Sequence, residues 1–112
     1  ETGAAGWYVG VRSLAREVGD TAEGFDRPVD ADRVSRRLLP LANRIQGHVR
    51  AAPDDVDEAI YRQLFELGVG CQRIAVEHRP ARIAFEDEHL GKRLAALRNE
   101  ADALEAQVAP ET

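Results

Sequence analysis

The stretch LGKRLAALRNEADALEAQV, residues 90–108, decides how the chain is built. Its apolar residues Leu90, Leu94, Leu97, Ala101, Leu104 and Val108 recur at alternating steps of four and three. That rhythm keeps one stripe of an α-helix turned toward a partner helix. Glu100 and Asp102 flank the stripe without entering it.

Working outward, the same rhythm appears three more times. One row is Ile60, Leu64, Leu67, Cys71, Ile74 and His78; another is Val34, Leu38, Leu41, Ile45 and His48; the first is Trp7, Val11, Leu14 and Val18. Val and Ile never alternate over a strand-length run, and only six of the 112 residues are aromatic. The chain therefore reads as all-α with an aliphatic core. Its length suits one domain.

Punctuation places the elements. Helix 1 is expected from about Ala4 to Val18, with Gly19-Asp20 as its stop and Phe25 in the following loop tucked over the bundle end. Helix 2 is expected to start near Asp30 or Asp32, whose carboxylates suit a helix N-terminus, and to run to about Ala52. Pro40 lies in its middle and removes one backbone donor, so a kink is expected there. The stripe keeps phase across Pro40, which favours one bent helix over two short ones.

Pro53 with Asp54, Asp55, Asp57 and Glu58 marks the start of helix 3, which should reach about His78. Gly68 and Gly70 inside it point to close approach by a neighbouring helix. The stripe changes phase near Arg79-Pro80, so helix 4 is read as a new element opened by Pro80, running to Val108 and stopped by Pro110. Short connections at 53 and 79–80 make successive helices antiparallel neighbours. The expected architecture is an antiparallel up-down-up-down four-helix bundle over residues 4–109, with 110–112 as a tail. The alternative is a three-helix bundle with a detached N-terminal helix.

The formal net charge is −5, which argues against a general nucleic-acid binder. Cys71 is the one cysteine, so no internal disulfide can form, and its place on the helix 3 row reads as a small buried hydrophobe. Glu1-Thr2-Gly3 resembles the remnant that some secretion vectors leave after signal cleavage and is excluded from the fold. Trp7-Tyr8 in an apolar run reads either as a lipid–water boundary or as a helix start that covers the core.

No group of residues reaches a catalytic signature. Glu86 and His89 share a helical face, but the second Glu-x-x-His of a di-iron bundle is missing. Ser13 and Ser35 lie inside helices among arginines, and Gly68-Val69-Gly70 has neither the strand nor the Lys-Ser/Thr of a phosphate loop. No enzyme activity, cofactor or metal is expected.

His48 and His78 sit near the C-terminal ends of helices 2 and 3, where a boundary histidine bonded to a carbonyl competes with a pH-sensitive contact. Helix 2 carries Arg33, Arg36, Arg37, Arg44 and Arg50 with no acid between them. These are matched by acids on helix 3 such as Glu58, Glu66 and Glu77, or form the binding face for an acidic partner or an anionic membrane surface, or read a DNA groove, which the neighbouring acids disfavour.

The function expected is a non-catalytic helical interaction or sensing module acting through helix–helix contacts, with self-association through the leftover stripe of helix 4. The N-terminal tripeptide and Trp7-Tyr8 lead to the expectation that it is the extracytoplasmic part of a membrane-anchored protein. The alternative is a cytosolic regulatory or scaffold bundle whose Arg-rich helix 2 binds an acidic partner or nucleic acid.

Overall fold

The computed structural model describes residues 3–25, 30–77 and 84–108. Four helices follow in chain order: α1 Gly3–Glu23, α2 Ala31–Arg50, α3 Glu58–Glu77 and α4 Ala84–Gln107. No strand occurs among the described residues. The expected break at Arg79-Pro80 and the stop at Pro110 lie outside them.

All four apolar rows point inward as far as they are described. Val11, Val18, Val34, Leu38, Ile45, Leu64, Cys71, Leu90 and Ala101 are completely covered, and Trp7, Leu14, Leu41, Ile60, Leu67, Ile74, Leu94, Leu97, Leu104 and Val108 nearly so. They form one continuous core, extended by Ala15, Ala22, Ala42, Val49 and Ala75. No polar or charged side chain is buried among the described residues. The packing closes into a bundle, with α2 lying most closely on α3 and α1 on α4, and α3–α4 and α1–α2 contacts joining the two pairs.

Particular residues fix these pairings. Between α1 and α4, Arg16 meets Glu105 at 3.7 Å and Arg98 meets Glu23 at 3.4 Å. Between α2 and α3, Ser35 Oγ donates to the Ala75 carbonyl, and Gln46 bonds Gln72 at 2.9 Å. Two glycines of α3 mark where neighbouring helices come close. A β-carbon on Gly68 would stand 2.8 Å from Ile45 of α2, and one on Gly70 would stand 3.3 Å from Leu97 of α4. Close approach thus explains both interior glycines of α3.

The structure corrects several boundaries. α1 does not stop at Gly19-Asp20 but runs on to Glu23. Gly19 lies against α4, where an added β-carbon would be 3.1 Å from Asp102 Oδ1 and 3.8 Å from Ala101. It serves packing, not termination. α2 is a single helix through Pro40 and ends at Arg50, two residues short of Ala52. Its cap is Asp30, whose Oδ1 accepts from the N–H groups of Asp32 and Arg33 at 3.0 and 3.4 Å. Such a cap contributes about 1 kcal/mol.

Pro53 and Asp54 belong to the connection, not to α3. The cap of α3 is Asp57, whose side chain accepts from Ala59 N–H at 2.8 Å while its carbonyl takes the first helical bond from Tyr61. Phe25 packs against the core, with the Arg37 guanidinium 5.9 Å from its ring centre. The stripe of α4 is not left over for a second chain, because this chain's own core covers it from Leu90 to Val108.

Candidate interaction surface

The arginines of α2 do not act together. Arg36 pairs with Asp32 one turn earlier on its own helix at 3.2 Å, with both groups well exposed. Arg44 reaches across to Glu17 of α1 at 2.8 Å, and hydrogen bonding and charge from Glu17 hold its guanidinium above its ordinary pKa. Arg37 lies over Phe25. Arg33 and Arg50 are exposed and form no ion pair among the described residues.

The helix 3 acids expected to match these arginines do otherwise. Glu58 pairs with Arg62 on its own helix at 3.3 Å. Glu66 makes no ion pair among the described residues, and its charge together with partial burial pushes the Glu100 carboxyl up, burial being the larger cause. The side chain of Glu77 lies outside the described residues.

His48 closes the end of the bundle at which α1 begins. Its ring stacks on Trp7 with centres 5.4 Å apart and planes 3° from parallel. Trp7 Nε1 donates to the His48 carbonyl at 2.8 Å, and His48 Nε2 lies 2.8 Å from the Trp7 carbonyl. A carbonyl oxygen only accepts, so Nε2 carries the proton. Tyr8 continues the seal, its hydroxyl oxygen accepting from Asp57 N–H at 2.6 Å. Tyr61 of α3 stacks on Trp7 at 6.5 Å. Both rings of Trp7-Tyr8 are thus engaged within the chain. His78 lies outside the described residues, as do the side chains of Glu86 and His89.

Cys71 is fully covered in the core, and burial, helped by the Glu100 charge, pushes its thiol up from 9.0 to about 12. The thiolate is the reactive form, so this side chain is inert at neutral pH. Labelling by a disulfide reagent at pH 8 is expected to follow global unfolding, and fast stoichiometric labelling of the native chain would contradict the packing. The raised folded value also sets a sign. The folded state keeps a proton that the unfolded chain loses, so stability falls as pH rises from about 9 toward 12.

The feature that sequence reading missed lies on the outer side of α3. Phe65, Val69, Gln72 and Val76 follow one another at steps of four, three and four, opposite the core row. Phe65 is 50% exposed and Val76 45%, against 0% for neighbouring Leu64 and Cys71. Val69, Gln72, Arg73 and Val76 bound a shallow hollow of about 290 Å³. Arg73 on its edge makes no ion pair among the described residues. The signal was present in the sequence as a second row displaced by alternately one and two positions from the first.

Among the described residues no group of three or more His, Cys, Asp or Glu side chains comes together to hold a metal ion. No described helix is long and apolar enough to cross a membrane. Compared with protein families, curated proteins and solved structures, the chain matches none.

Proposed function

We propose that the chain is a non-catalytic helical contact module whose working surface is the outer face of α3. The observation that carries this reading is the second row, in which Phe65 and Val76 stand in solvent on either side of a half-buried Val69, while the long apolar rows of the core are covered wherever they are described. An exposed apolar row on a helix is the usual mark of helix-to-helix recognition.

An up-down-up-down course of the helices belongs to the same proposal. It is supported by pairs in which numbers rise on one helix as they fall on the next: Trp7 with His48 and Glu17 with Arg44, Ser35 with Ala75 and Ile45 with Gly68, Arg16 with Glu105 and Glu23 with Arg98. In a membrane-anchored protein outside the cytoplasm, α1 and α4 packed side by side would carry partner contact toward the anchor. Trp7 and Tyr8, turned to the bundle, lend that placement no further support.

The rival reading uses the α2 arginines on an acidic partner. Three of the five already have partners in the chain: Asp32, Glu17 and the Phe25 ring. Two measurements in dilute solution separate the readings. An environment-sensitive apolar dye is expected to bind the native chain, and most of its signal should vanish in Phe65→Asp/Val76→Asp with helical circular dichroism unchanged; an unaltered signal would contradict the α3 face. Heparin is expected to bind weakly and with little dependence on salt. Tight binding that drops several hundredfold between 50 and 200 mM salt, as about five cation–anion contacts require, and that Arg33→Ala/Arg50→Ala weakens, would favour the rival.

A further inference from the structure

We propose that the outer face of α3 docks a second copy of this chain, its α3 running antiparallel to the first. The inference rests on the contact reading above and adds the identity and orientation of the partner.

Charge placement points to this occupant. Glu66 and Arg73 lie seven residues apart on the same edge of the Phe65–Val76 row, and neither has an ion-pair partner among the described residues. Set a second α3 antiparallel on the first, with Val69 beside Gln72 of the second copy. Phe65 then faces Val76 of that copy, and the relation is repeated by the two-fold axis. In the same register Glu66 comes alongside Arg73 of the second copy, and Arg73 alongside its Glu66.

One surface is thus complementary to itself, as a closed two-fold interface requires. The apolar strip is centred, the opposite charges lie on its rim, and Gln72 sits beside Val69 on the side where Gln46 already bonds it. A parallel arrangement lacks this match. It brings Phe65 to Phe65 and Gln72 to Gln72, and it leaves each Glu66 about 10 Å along the helix from the nearest Arg73.

The monomer also has reason to accept the second copy's cation. Glu66 lies near enough to Glu100 to raise that carboxyl, with no cation paired to Glu66 itself among the described residues. Arg73 of the second copy supplies the missing positive charge on that side.

The test is sedimentation equilibrium of the full chain from micromolar to near-millimolar concentration, with circular dichroism on every variant. The expected mass rises from 12.3 kDa toward twice that value. Phe65→Asp, at a half-exposed site that tolerates a polar group, is expected to weaken association on the order of a hundredfold or more. Glu66→Arg and Arg73→Glu are each expected to weaken it about tenfold, because each breaks two rim pairs and creates like-charge neighbours. The double variant Glu66→Arg/Arg73→Glu should return close to the wild-type constant.

A chain that stays monomeric throughout overturns the inference and leaves the contact reading to the dye and heparin measurements. A dimer indifferent to Phe65→Asp overturns it as well, because another face is then in use. Loss of association in both single charge variants without recovery in the double variant overturns the antiparallel register.

Discussion

Leu97→Ala is expected to destabilise the chain by about 3 kcal/mol, a large share of the total stability of a domain this size. Leu97 is 3% exposed and lies directly over Gly70 of α3, where an added β-carbon would be 3.3 Å from Leu97 Cδ1. Glycine at position 70 brings α3 and α4 close, and the leucine fills the space that its missing side chain leaves. Removing the leucine empties that space, and glycine at position 70 has no side chain to fill it. Urea unfolding measures the loss.

The same contact predicts coupling. In the Leu97→Ala background Gly70→Ala should recover about 1 kcal/mol, since the new methyl has room and alanine is the better helix former. In the wild type the tight contact offsets that gain. Additive effects of the two substitutions would show that the two side chains do not share one space.

Gly10→Ala is expected to destabilise by about 2 kcal/mol even though alanine favours helix by about 1 kcal/mol. A β-carbon at position 10 would stand 2.3 Å from Cε1 and 2.6 Å from Nε2 of His48. The imidazole cannot swing aside cheaply, because it is stacked on Trp7 and bonded to the Trp7 carbonyl. Moving it breaks that bond and the stack together. Gly6, one turn earlier, has nothing within 4 Å of its added β-carbon. Gly6→Ala should therefore stabilise by up to about 1 kcal/mol, and thermal unfolding of the two variants should differ in sign. Trp7 is the one tryptophan of the chain, so its emission gives a second readout: a red shift in Gly10→Ala and none in Gly6→Ala. Equal effects at both glycines would show that His48 does not occupy the position described.

The core was legible in the sequence, and the surface was not. Every described member of the rows from Val11 to Val18, Val34 to Ile45, Ile60 to Ile74 and Leu90 to Val108 is buried. A large apolar residue at helical spacing has few places to go but inward. Small residues carry less of that signal, so Ala15, Ala22, Ala42 and Ala75 were not read as core.

Gly19-Asp20 resembles a stop locally and is overridden by packing against Ala101 of α4. The partners of the arginines could not be read from spacing, because they depend on which helices are neighbours. Arg44 faces α1 and not α3, and Arg36 finds Asp32 on its own helix. The outer row of α3 was hidden by its inner row. Leu64 and Phe65 are adjacent, and assigning the first to the core left the second without a role until exposure separated them.

The most direct test of that separation is side-chain NMR of the dilute chain with a soluble paramagnetic probe. Strong broadening is expected for the Phe65 ring and Val76 methyls, and sharp signals for Leu64, Leu67, Ile74 and Leu97. Broadening of the second set with protection of the first would turn α3 inside out, and both the bundle core and the contact face built on it would be contradicted.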